Sequence, residues 1–75
     1  MSMNYAYNYA EIDLTINMCV GFQSVSSAIP EDEVPENWVM VEVNDPEYMG
    51  KFYNWDNGKF YYDPEYTEEY ISPLL

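Results

Sequence analysis

The residues able to do chemistry in this chain are almost all carboxylates. Fourteen Asp and Glu stand against two Lys, with no Arg and no His, for a formal net charge of −12. Two acids held at a fixed separation across a cleft would suit glycoside hydrolysis. Clustered acids would suit a hard cation such as Ca²⁺. The runs Glu31-Asp32-Glu33 and Asn54-Trp55-Asp56-Asn57-Gly58 are the places to look. Neither carries the D-x-[DN]-x-[DN]-G-x₅-E pattern of a calcium loop, and the second reads better as a hairpin turn. Nothing in the spacing fixes two carboxylates across a cleft. The expectation is a solvated acidic surface with no catalytic residue, no metal and no other cofactor.

Cys19 is the only cysteine, so no disulfide can form within the chain. No basic residue adjoins it in sequence to favour a thiolate, and it reads as a small apolar strand residue. One Cys and no His cannot supply the usual ligands of a structural zinc. The absence of His also removes His-based acid–base and nucleophilic catalysis. The chain is therefore read as non-enzymatic.

The charge points to a class of partner. Nucleic-acid affinity comes largely from Lys and Arg on phosphates, and only Lys51 and Lys59 are present. Direct nucleic-acid binding and binding to anionic membranes are both disfavoured. A protein with a basic surface is the electrostatically natural partner. At 75 residues the chain holds one domain and one small core. A partner or a homo-oligomer would add burial. Disorder is a poor reading, because 19% of the residues are aromatic and disordered segments are depleted in such residues. No apolar run approaches the roughly 18 residues of a membrane span. The start MSMNYAYNYAEID has neither a basic nor an apolar leader region, so no secretory signal is expected.

The elements that must position these residues are strands. Residues 4–14 alternate, with Ala6, Ala10, Ile12 and Leu14 on one face and Tyr5, Tyr7, Tyr9, Glu11 and Asp13 on the other. Thr15 to Asn17 read as a turn. MCVGFQSVS resumes the alternation, with Met18, Val20 and Phe22 facing one way and Cys19, Gly21 and Gln23 the other. Gly21 within this run suggests a bulge or a close backbone approach. Residues 24–37 hold Ser, Pro30, Pro35 and the acidic run, and read as a long loop. WVMVEV is a strand over 38–43, ended by Asn44-Asp45-Pro46. Asn57-Gly58 between KFYNW and KFYYD is the strongest hairpin signal, as a two-residue loop or, with Asp56, a three-residue loop with a bulge. The tail 64–75 opens on Pro64 and is left between one helical turn and an extended strand. The sum is an all-β chain: a small antiparallel β-meander of four to five strands with a C-terminal hairpin at Asn57-Gly58.

The segment order resembles a class of small proteins encoded with the tail and baseplate genes of phages and prophages of Gram-positive bacteria. The residues that carry the resemblance are Tyr9 to Asp13, Met18 to Gly21, Val41 to Asp45 and Gly50 to Asp63. They are strand and turn residues, so no catalytic residue comes with them. The resemblance implies a virion-associated or tail-assembly role, in the phage particle or the host bacterial cytoplasm.

Two functions follow from the charge, the aromatics and the resemblance. The first is a protein–protein interaction module of a tail or baseplate. Tyr53, Trp55 and Tyr61 of the hairpin would supply contact area, and Glu31, Asp32, Glu33, Glu65, Glu68 and Glu69 would face a basic partner. The second is an acidic mimic of nucleic acid that inhibits a host defence nuclease, in the manner of anti-CRISPR or anti-restriction proteins.

Overall fold

The computed structural model describes residues 7–75. Six antiparallel strands form one sheet: β1 (Tyr7–Asp13), β2 (Met18–Val25), β3 (Trp38–Val41), β4 (Phe52–Asn54), β5 (Lys59–Tyr61) and β6 (Glu69–Tyr70). Their order across the sheet is β3-β1-β2-β4-β5-β6. The chain is all-β and antiparallel, as its alternation requires. β4, β5 and β6 form a simple meander. β3 instead returns across β1 and pairs on that strand's far side, Ala10 opposite Val39 and Asn8 opposite Val41. The sixth strand makes part of the tail extended: Tyr70 lies opposite Phe60 and Glu69 opposite Tyr61. Tyr5 and Ala6, expected at the start of the first strand, lie outside the described residues.

The first hairpin contains a bulge, next to the glycine that signalled it. Glu11 pairs with Gly21 while Ile12 pairs with Cys19, so Val20 is left over. One extra residue inverts the parity of everything before it in the strand. Phe22 keeps the core face, but Cys19, and not Met18 or Val20, lies there with it. Cys19 is buried and Val20 exposed. Gly21 is small because Glu11 lies directly across: a Cβ there would sit 2.7 Å from Glu11 Oε1.

The outer face of β1 also departs from simple alternation. Tyr9 is 2% exposed. Its ring packs on Trp38, with centroids 6.1 Å apart, and its hydroxyl accepts a hydrogen bond from the Ile29 N–H. The long loop therefore folds back over this face. The acidic run within it forms one exposed 3₁₀ turn, Glu31–Glu33. Leu14, expected on the core face, is exposed in the following turn.

Both tight hairpins use the same four-residue turn. Asp13 Oδ1 accepts from the Thr15 N–H at 2.9 Å, and the Asn17 N–H donates to the Asp13 carbonyl. In the second, Asn54 Oδ1 accepts from the Asp56 N–H at 2.8 Å, and the Gly58 N–H donates to the Asn54 carbonyl. Each ends on a left-handed residue, Asn17 at φ 58° and Gly58 at φ 73°. The Asn57-Gly58 hairpin thus has four loop residues and not two or three, because the Asn54 side chain closes the turn one step earlier. The two turns meet where the Trp55 indole N–H donates to Asn17 Oδ1 at 3.0 Å.

The core lies on the concave side of the curled sheet. Ala10, Ile12 and Cys19 meet Phe60 and Tyr70 there, with Tyr48 between the two halves. Tyr48 belongs to a short 3₁₀ turn, Pro46–Tyr48, whose N-cap is Asp45 and whose first position is proline. Its ring lies 4.7 Å from Phe60, 5.4 Å from Tyr70 and 6.2 Å from Phe22. Such pairs contribute about 0.5–1.5 kcal/mol each beyond the area they bury. Gly50, at φ 87°, then turns the chain so that Cys19 exchanges backbone hydrogen bonds with Gly50 and Lys51 and β4 can begin.

Candidate aromatic groove

Curling brings the two edge strands of the sheet to face each other. Between β3 and β6 lies an open groove of about 380 Å³. Its floor is aromatic: Tyr48, Tyr53, Phe60 and Tyr70. Its rim is built from exposed apolar edge residues, Met40 at 60% and Ile71 at 65%. Glu42 stands on the β3 side and Glu69 on the β6 side.

Local sequence explains each position. Tyr53 and Phe60 are directly opposite across β4 and β5, with rings 4.9 Å apart, so one face of the hairpin is committed to the floor. Tyr70 points inward because β6 places it opposite Phe60. Its hydroxyl donates to the Asp45 carboxylate. Asp45 is only 4% exposed and also accepts from the Glu47 N–H at 3.0 Å. Burial pushes the Asp45 carboxyl up. Hydrogen bonds from Tyr70, Ser72 and the Glu47 N–H, with the Lys51 charge, outweigh it and hold the group below its ordinary value. The same arrangement raises the Tyr70 phenol, through burial first and the Asp45 contact second. Burial likewise raises Tyr48 and Tyr53, so the floor stays uncharged at neutral pH.

The two lysines are engaged. Lys51 Nζ donates to the Glu47 carbonyl at 2.9 Å and lies 4.8 Å from the Tyr70 ring centroid and 5.1 Å from that of Tyr62. Lys59 Nζ stands 3.9 Å from Glu69 Oε1 in a solvent-exposed pair, an arrangement that contributes little to stability.

The residues singled out from sequence do not form one patch. Tyr53 and Glu69 line the groove. Trp55 is exposed in the second turn, at the end of the sheet that also exposes Leu14 and Ile16. Tyr61 is 9% exposed, packs its ring tilted against Tyr66 at 5.3 Å and accepts from Asn57 Nδ2. It is a packing residue with little surface to offer. Glu31, Asp32 and Glu33 are exposed in the long loop, while Glu65 and Glu68 are exposed in the β5–β6 connection. Met40, Glu42, Tyr48 and Ile71 were not foreseen. The Asp45-Pro46 pair is the local signal for the turn that carries Tyr48. The edge positions of Met40 and Ile71 depend on strand order, which no local pattern reveals.

Among the described residues no group of three or more His, Cys, Asp or Glu is placed to hold a metal ion. Burial raises the Cys19 thiol, which donates to the Gly21 carbonyl at 3.2 Å. No helix among the described residues is long and apolar enough to cross a membrane. No known protein family, no characterised protein and no solved structure matches this chain.

Proposed function

We propose that this protein is a non-enzymatic protein–protein interaction module that binds a protein with a basic surface. The observation that carries this reading is the groove between β3 and β6: an aromatic floor, an exposed apolar rim and carboxylates on both sides. An aromatic depression flanked by carboxylates has the anatomy of an interaction hot spot. The net charge of −12 steers basic partners and repels acidic ones. The setting we propose is a phage tail or baseplate, supported by the likeness of Tyr9–Asp13, Met18–Gly21, Val41–Asp45 and Gly50–Asp63 to small proteins of those assemblies.

The test is to purify virions from a phage encoding the chain and search them by mass spectrometry. Alongside, the tagged protein is used to capture partners from the infected host at low and high salt. Presence in virions and salt-sensitive capture of a basic structural protein are expected. Absence from virions, with tails intact after deletion of the gene, overturns the assembly role. Capture of a defence nuclease that DNA or RNA displaces would assign the chain to the acidic-mimic class instead.

A further inference from the structure

The groove is bounded by two strand edges whose backbone groups are free, and those groups specify the shape of an occupant. The Ile12 N–H donates to the Asn37 carbonyl, so Ile12, and by alternation Ala10 and Asn8, direct their backbone groups toward β3. Their partners Val39 and Val41 use their own groups inward. Met40 therefore turns its N–H and C=O away from the ladder, and Glu42, the first residue past β3, its N–H. On the other side, the Tyr62 N–H donates to the Glu68 carbonyl. That makes Phe60–Tyr70 a bonded pair and turns the Glu69 N–H and C=O outward, with the N–H of Ile71 just past β6. All four of these residues, Met40, Glu42, Glu69 and Ile71, line the groove. Among the described residues no strand pairs with either edge.

Resting on the interaction-module reading, we infer that the occupant is an extended, basic segment of the partner that adds as a strand to the free edge of β3. A helix could fill the apolar floor but would leave the edge groups unpaired. An extended segment satisfies them and sends alternate side chains to the floor. Its inward positions are apolar, to meet Tyr48, Tyr53, Phe60 and Tyr70. Its outward positions are Lys or Arg, because Glu42 stands on the β3 side of the groove, while Glu69 across it meets Lys59 in an exposed pair. A second copy of this chain is a poor occupant, since two bodies of charge −12 would bring like carboxylates together.

The test uses the full chain, isotope-labelled for NMR, and a short end-blocked peptide of alternating Lys and Val. Comparators are the Glu–Val peptide and a Lys–Val peptide N-methylated on the amides of one edge. The Lys–Val peptide is expected to bind and to protect the Met40 and Glu42 amides from exchange. Binding should weaken about tenfold or more on N-methylation, the effect of losing two or so edge hydrogen bonds, and should fall in high salt. Met40→Pro removes the outward N–H without touching the β1 ladder and is expected to weaken binding similarly. The N-methylated peptide keeps the test decisive if that variant does not fold. Equal binding of the Glu–Val peptide, indifference to N-methylation, or protection elsewhere on the sheet overturns the inference. A basic virion protein that binds without protecting Met40 and Glu42 removes the groove inference and leaves the proposed function standing. The absence of any basic partner removes both.

Discussion

The Tyr70 hydroxyl donates to the Asp45 carboxylate, joining residues 25 apart in sequence. Asp45 caps the 3₁₀ turn that carries Tyr48, and Tyr70 lies on the outermost strand. A single hydrogen bond thus ties the hub of the core to one wall of the groove.

Tyr70→Phe tests that tie. The ring and its contact with Tyr48 remain, but a buried carboxylate loses a donor. The expected loss is about 1–3 kcal/mol, or a Tm lower by roughly 4–8 °C per kcal/mol for a domain of this size. Chemical and thermal unfolding measure it. An unchanged Tm would show that the bond carries no stability.

The Asp45 carboxyl also sets a pH dependence. Its folded-state value lies below the ordinary 3.8. Its contribution to stability is therefore fully present above that value and is lost as pH falls through the folded value. Urea midpoints measured from neutral pH into acid should fall in this window. In Asp45→Asn the fall should be shallower, and an identical slope in the two proteins would assign the acid sensitivity to other carboxylates.

Gly21→Ala places a methyl 2.7 Å from Glu11 Oε1 and 3.3 Å from Glu11 Cβ. The carboxylate can swing away, whereas the Cβ is fixed by the strand. The expected cost is about 1 kcal/mol, and Glu11→Gly, which removes the fixed Cβ, should recover part of it. A double-mutant cycle reads this directly, and strict additivity would mean that the two residues do not press on each other.

The free edges of β3 and β6 predict acid-induced association. Near the isoelectric point of about 4.1 the mutual repulsion that holds copies apart vanishes, and unpaired edges are templates for pairing. Sedimentation should show a monomer at neutral pH and larger species near pH 4.1. Met40→Lys, a charge on the edge itself, should suppress them. Association of equal extent in that variant would place the contact elsewhere.

Much of the sheet was legible because its signals are local. Alternation located β1, β2 and β3, Gly21 marked the neighbourhood of the bulge, and Asn57-Gly58 marked the second hairpin. What stayed hidden was set by contacts distant in sequence. The bulge at Val20 moved Cys19 onto the core face. The long loop buried Tyr9 by supplying the Ile29 N–H to its hydroxyl. Tyr48 became the centre of the core because strands from both halves close on it. The groove depends on which strands end at the edges, so only Tyr53 and Glu69 of its residues were anticipated.

The repeated turn has a consequence for how the chain assembles. Asp13–Asn17 and Asn54–Gly58 each close a hairpin from neighbouring residues, so each can form early at small loop-closure cost. β3 must then travel back across a finished hairpin, and Tyr48 must wait for both halves. The order of events runs from two independent ribbons to a late docking step. The seam between β3 and β6 lies between segments that never meet during the early, local stage. Slowing of refolding should accordingly follow changes in the two turns, whereas changes at Tyr48 should act more on the unfolding rate.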